Sequence, residues 1–284
     1  MLGEFLLYNE SIMMLHLHHH RTIKILILVV AVILLTGGGI AVGILVAKPA
    51  DSPATPAHQA PAKSKENPQA VAPKPAPTPL KPDYILPPIQ NGMVPMLTQI
   101  PTSQPVVFLG IDDGGYKDPS ELQLLKDNNI RATLFLSNAF ISDNPDFFKP
   151  FLTANTFIED HTLHHYTNLP RRPYSVQKAE ICGEADYMAR TYGRRPLLFR
   201  PPGGSYNALT LKAAADCGMK AAINWIAKAN GGSMQYQIGN KLRPGDIVLM
   251  HFRPVFKQDL QAFIQAQNAA GLHTELLEDW LGAR

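Results

Sequence analysis

Cysteine is almost absent: the chain has two in 284 residues, too few for a cysteine-rich zinc module or a scaffold held by several bridges. Charge is also sparse. Asp, Glu, Lys and Arg make up 17% of the residues, against about 25% in an ordinary globular protein. The formal net charge of +3 comes from 26 basic and 23 acidic residues of which neither sign is gathered into a stripe, so no nucleic-acid partner is expected. No GxGxxG or GxxxxGK[ST] follows a strand-like run, which removes the support for nucleotide binding. What is abundant is proline, with 25 residues beside an ordinary 45% of hydrophobic ones. That is a globular domain diluted by something non-globular, in a chain long enough for one or two domains.

The dilution lies in the first 95 residues. After a short flank of residues 1–24, residues 25–47 form 23 positions without a charge. As a helix rising ~1.5 Å per residue this segment crosses the ~30 Å hydrocarbon layer, whereas a core helix of that length would show a polar face. A cleaved signal peptide has a shorter apolar region, ~7 to 15 residues, ending in a small-x-small site, and none stands near Lys48. The segment reads as an uncleaved transmembrane signal anchor. Its orientation is left open by charge counting, since Arg21 and Lys24 precede it while Lys48, Lys63 and Lys65 follow. His16, His18, His19 and His20 read as a polar flank rather than a metal site. Residues 48–95 form a Pro/Ala-rich linker, with 12 prolines among the 41 residues 48–88. Such a composition favours extended polyproline geometry over a buried core. At ~3.1 Å per residue it reaches about 120 Å, which suits a domain carried from a single-pass membrane anchor into a cell wall, outside the cytoplasm.

From residue 106 onward apolar runs alternate with helical stretches. The runs are 106–111, 132–136, 156–158, 196–199, 221–224 and 247–250; the helical stretches between them cover 120–129, 144–152, 175–193 and 208–218. Gly193 and Gly218 stand where helix C-terminal glycines belong. Strands alternating with helices imply an α/β fold with a parallel sheet, a barrel or a doubly wound sheet, over a domain spanning 96–284.

Reactive side chains fall at the ends of these runs. Asp112 and Asp113 follow the first, His161 and His165 the third, Arg200 the fourth, Trp225 the fifth and His251 the sixth. In parallel barrels the carboxyl ends of the strands build the active site. Each group alone has a bland reading, as turn, loop or core residue; their joint placement does not. With His161-Thr162-Leu163-His164-His165 as a helical turn, both outer imidazoles lie on one face and share a metal. One aspartate completes a two-His-one-carboxylate site suited to Zn, Co, Fe or Mn, leaving its neighbour to accept a proton. Arg200 would hold that base, the Gly203-Gly204 loop would offer N–H groups to an oxyanion, and His251 would be the general acid. This is equipment for hydrolysing an amide or ester.

Taken in order, these residues resemble the polysaccharide deacetylases of the NodB-homology type, carbohydrate esterase family four. The family's Thr-Phe-Asp-Asp-Gly motif is matched by Gly110-Ile111-Asp112-Asp113-Gly114, and its His-Ser/Thr-x-x-His motif by the segment from His161 to His165. Arg200-Pro201-Pro202-Gly203-Gly204 matches the third motif and Leu249-Met250-His251 the last. The resemblance implies a distorted (β/α) barrel that removes acetyl groups from N- or O-acetylated sugars with a divalent metal, zinc first. By position, Asp112 is the base and Asp113, His161 and His165 the ligands. Arg200 orients Asp112, Gly203 serves the oxyanion site, His251 protonates the leaving amine, and His164 is a neighbour only. The fourth motif departs: where the family supplies an aspartate near an Asp-Trp pair, this chain has Asn224-Trp225-Ile226-Ala227-Lys228, without a carboxylate. Trp225 reads either as lining for an acetyl pocket or as a core aromatic, Trp280 as a packing anchor, and Cys182 and Cys217 as a disulfide or two buried thiols. The expected partner is a polysaccharide, peptidoglycan or an N-acetylglucosamine polymer. The rival readings are a wall-glycan-binding protein with little catalysis and a metal amidase for a small non-sugar amide.

Overall fold

Val106 to Ile111 are all buried, so this strand must be covered on both faces, as in a parallel sheet clad by helices. A computed structural model describes residues 80–153 and 156–284; the expected anchor and most of the expected linker lie outside them. Among the described residues no helix is long and apolar enough to cross a membrane. Ten strands of the described residues form one sheet: β1 (Met96–Leu97), β2 (Val106–Asp113), β3 (Thr133–Leu136), β4 (Phe157–Asp160), β5 (Leu198–Phe199), β6 (Ala221–Ile223), β7 (Ala227–Asn230), β8 (Ser233–Tyr236), β9 (Ile247–His251) and β10 (His273–Glu275). Their order is β1-β6-β5-β4-β3-β2-β9-β7-β8, with β10 also on β2. Every pairing is parallel except the β7–β8 hairpin. The sheet is a curled half-barrel rather than a closed one, with β1 and β8 at the ends of the path.

The helices are α1 (Ser120–Asp127), α2 (Asn138–Ile141), α3 (Tyr174–Tyr192), α4 (Ala208–Asp216), α5 (Phe256–Ala269) and α6 (Leu277–Leu281). Alternation along β2 separates two cores. Val107, Leu109 and Ile111 join Leu125 of α1 and Leu260 and Phe263 of α5 outside the sheet. Val106 and Phe108 join Phe135, Leu198, Ile247 and Trp280 inside it. Trp280 is the expected anchor: it is buried and meets the Phe108 ring edge-on at 5.5 Å. Leu80, Tyr84 and Leu86, from the last part of the expected linker, pack against the same inner cluster.

Three features depart from the sequence pattern. The stretch 144–152 is a 3-10 helix, Pro145–Thr153, since Pro150 removes a donor that an α-helix there would use. The β7–β8 hairpin corresponds to no apolar run: Ala227-Lys228-Ala229-Asn230 becomes a strand by pairing with β9. Its turn is Gly231-Gly232, both with positive φ, the backbone that two-residue hairpins require. Helix α5 likewise lies beyond the helical stretches read from the pattern.

Cys182 on α3 and Cys217 after α4 are bonded to each other, which settles the open alternative in favour of the bridge. The two helices they join cover the outer face of β5 and β6 together with Phe199 and Ala222. A loop of 35 residues' separation is worth about 3 to 4 kcal/mol of chain entropy. Urea unfolding of a Cys182→Ser/Cys217→Ser double variant should show a loss of about that size, and an unchanged midpoint would refute a stabilising role for the bridge.

Candidate metal and active site

The carboxyl ends of the strands carry the site. Asp112 and Asp113 close β2, Asp160 ends β4 with His161 next, Arg200 follows β5, and His251 closes β9. Register aligns them: Asp112 pairs with His251 on one side, while Asp113 pairs with Leu136 and Leu136 with Asp160 on the other.

The two outer histidines meet, though not by a helical turn. Residues 161–165 form an irregular loop in which Thr162 and His165 have φ of +69° and +55°. Asp113 is also left-handed, at +76°. Such conformations cost non-glycine residues about 1 kcal/mol or more and persist only where the surroundings enforce them. The enforcing bonds are explicit. The Thr162 N–H donates to Asp160 Oδ1 at 2.9 Å, the Ser137 hydroxyl to the Thr162 carbonyl at 2.6 Å, and the His165 N–H to the Thr162 hydroxyl at 3.1 Å. Glu180 on α3 grips the middle of the loop. Its carbonyl accepts the Leu163 N–H at 3.1 Å, and its carboxylate takes the His164 N–H at 2.8 Å and pairs with the His164 ring at 2.6 Å.

So held, His161 Nε2 lies 3.2 Å from His165 Nε2, and Asp113 Oδ1 lies 3.6 Å from the first and 3.2 Å from the second. All three ligand atoms fall within 4.8 Å of one another. Asp113 Oδ1 is buried without a hydrogen-bond partner, and two facing imidazole nitrogens cannot both be acceptors satisfied by each other. His161 Nδ1 is occupied by the Arg200 carbonyl at 2.7 Å, the outer contact that fixes the tautomer of a metal-ligating histidine. An unpartnered carboxylate oxygen and two such nitrogens fit a divalent cation. Burial raises the Asp113 pKa, but the adjacent His161 and His165 bring it well below the usual carboxylate range.

Asp112 stands beside this trio with Oδ2 3.5 Å from His161 Nε2. Its other oxygen accepts from Arg200 Nη1 at 2.6 Å. Arg200 is fully buried, lies 4.1 Å over the Phe135 ring and donates through Nε to the Ile223 carbonyl at 3.2 Å. Gly110 makes the room: a Cβ there would sit 2.4 Å from Arg200 Nη1. Burial lowers the His251 pKa, opposed by the charges of Asp112 and Asp113. Gly203 lies in the 3-10 turn Pro202–Gly204 with φ of +62°. The Gly204 carbonyl accepts from Asn224 Nδ2 at 3.1 Å, and a Cβ on Gly204 would come 3.1 Å from the Trp225 ring. Trp225 is thus both partly packed on the inner core and 5.8 Å from the Arg200 guanidinium.

Nothing local in the sequence marks Glu180 or Ser137, because their partners lie 16 and 25 residues away. The His164 side chain, too, is more than a bystander, being the ring that Glu180 holds. Removing such an outer contact typically weakens a metal about 10- to 100-fold. Glu180→Ala should raise the zinc Kd, read with a chromophoric competitor, by that order while far-UV circular dichroism is unchanged; an unaltered Kd would show that the loop holds without it.

Residues 99–222 match the family model described as polysaccharide deacetylase. The protein SCO4760 of Streptomyces coelicolor is 37% identical over 156 residues, covering 54% of this chain and 62% of its own length. The chain therefore spans less than two thirds of that relative. A peptidoglycan-N-acetylglucosamine deacetylase of Bacillus cereus is 27% identical over 162 residues, covering 54% of this chain and 75% of its own. Among solved structures the fold is similar to BA3943 of Bacillus anthracis, a pseudoenzyme of the CE4 family, with a TM-score of 0.56 at 21% identity over 65% of this chain and 68% of that one. With the ordered motifs on the rim of a curled half-barrel of this type, residues 99–222 are similar to the polysaccharide deacetylases.

Proposed function

We propose that this protein is a metal-dependent hydrolase that removes acetyl groups from the N-acetylated sugars of a wall polysaccharide, peptidoglycan or a chitin-like polymer. The carrying observation is the convergence of Asp113, His161 and His165 beside an Asp112 tied to Arg200, on a rim shared with His251. The names of similar proteins that act on peptidoglycan support the substrate class. The anchor and linker read from the sequence add a location, with the domain held outside the cytoplasm on a single-pass membrane segment.

Asp113, His161 and His165 would hold the cation, which when bound polarises a carbonyl and acidifies water. Arg200 occupies one oxygen of Asp112 and orients the carboxylate, which leaves Oδ2 to take the proton of the attacking water. The water oxygen bonds to the acetyl carbon, and the backbone N–H of Gly203 would serve the developing oxyanion. His251, on the neighbouring strand, gives a proton to the sugar nitrogen as the C–N bond breaks, releasing acetate and a free amine. Because burial favours its neutral form, it gives up a proton readily once charged.

Asn224 favours a second reading. The family's aspartate at this motif is replaced by an amide whose Nδ2 is spent on Gly204, so a glycan-binding protein with little turnover shares the same fold and groove.

Asp113→Ala and His161→Ala should each abolish stoichiometric zinc retention, measured by metal analysis after dialysis, and retention would discard the ligand assignment. Asp112→Asn should keep the metal and lose acetate release from N-acetylglucosamine oligomers and purified peptidoglycan by about 10²- to 10⁴-fold. Full turnover in that variant would end the base role, and tight glycan binding by the unaltered protein without acetate release would favour the second reading.

A further inference from the structure

The β7–β8 hairpin extends the inner face of the sheet beyond His251. Residues paired across a sheet share a face. Gly110 pairs with Leu249, Leu249 with Lys228, and Lys228 with Gln235, forming one row across β2, β9, β7 and β8. Asp112 and His251 form the row two residues further along the same face. The opposite face of the hairpin is apolar, with Ala227 and Ala229 in the outer core beside Val248 and Met250. Alternation therefore turns Lys228 and Gln235 towards the side where the Arg200 guanidinium lies over Gly110.

A cavity of about 210 Å³ opens there, lined by Trp225, Ala227, Lys228, Gln235, Tyr236 and Gln237. Trp225 is the wall it shares with the site, since the same ring lies against Gly204 and 5.8 Å from Arg200. Gln237 fixes the indole's backbone by donating to the Trp225 carbonyl at 2.9 Å. Lys117, Lys149, Lys178 and Lys212 each have a carboxylate within 4.0 Å. Lys228, although half-buried, has none among the described residues. An indole face, two amides and an unpaired ammonium suit a sugar ring with hydroxyls and one carboxylate.

We infer that this hairpin cavity binds the sugar next to the one being deacetylated, and that Lys228 selects a sugar bearing a carboxylate. The inference rests on the deacetylase reading and narrows it. A homopolymer of N-acetylglucosamine is neutral, whereas peptidoglycan carries a carboxylate on the lactyl ether of each muramic acid without a stem peptide, and on the stem peptide itself where one is amide-linked there. A half-buried cation with no carboxylate partner among the described residues gains an ion pair only from the second polymer.

The test uses the full chain loaded with zinc and three substrates: chitotetraose, a muramic-acid-containing tetrasaccharide without stem peptides, and the same tetrasaccharide with them. The readout is the ratio of kcat/KM on each muramic-acid substrate to that on chitotetraose, which is insensitive to the fraction of folded or metallated protein. Lys228→Gln should lower that ratio about tenfold, the size of one charge-assisted hydrogen bond, and Lys228→Arg should restore most of it. A fall with the stem-free substrate identifies the lactyl carboxylate, which only that substrate leaves free, and a fall only with the stem-bearing one identifies the peptide. An unchanged ratio in Lys228→Gln overturns the inference. If the unaltered protein releases no acetate from any substrate, the deacetylase reading fails. Calorimetric Kd values for the stem-free tetrasaccharide then decide the cavity: about tenfold weaker binding by Lys228→Gln upholds it, and equal or absent binding rejects it.

Discussion

A buried guanidinium organises this rim. Arg200 is fully buried at the centre of the curled sheet, and a charge so placed is tolerated only when paired. Asp112 supplies the pairing, the Phe135 ring a face to lie on, and Gly110 the missing Cβ that would otherwise collide with it. The same residue's carbonyl fixes His161, and its N–H is bound to the Asp160 carbonyl at 2.8 Å. One residue thereby ties the base, a metal-facing histidine and two strands into a single arrangement, and moving any of them would leave the charge exposed to an apolar interior.

Backbone strain is concentrated where the cation would sit. Asp113, Thr162 and His165 are all left-handed; Ser137 donates to the carbonyls of the first two, and the Thr162 hydroxyl accepts from the His165 N–H. Behind the histidine loop lies a layer of buried acids. Burial pushes Glu184 up to about 10 and raises Asp160 well above the ordinary carboxylate value. Both accept hydrogen bonds, Glu184 from the Asn138 N–H and Asp160 from the Thr162 N–H.

The opposite end of the half-barrel is built for stability. Trp280 and its neighbours on α6 plug the interior beneath Phe108, and Arg131 bridges Glu275 and Asp279 just before β3. This division, with chemistry at the carboxyl ends of the strands and packing at the other, is the usual one for parallel barrels. It lets the rim keep unsatisfied and strained groups because stability is supplied elsewhere.

The sequence by itself determined the strand runs, the helices at 120–129, 175–193 and 208–218, and the residues at the strand ends. Each is a local matter of apolar periodicity, a glycine stop or a motif of a few residues. Only the tertiary structure decided how those ends are used. The spacing of His161 and His165 suggested a helical turn, yet long-range bonds from Ser137 and Glu180 impose left-handed backbone instead. Ala227-Lys228-Ala229-Asn230 has no strand signal of its own and becomes one because β9 offers a free edge. Cys182 and Cys217 were open alternatives until two helices set them face to face. In each case the deciding partner is distant along the chain, and local propensity carries no information about a contact that only the folded sheet brings within reach.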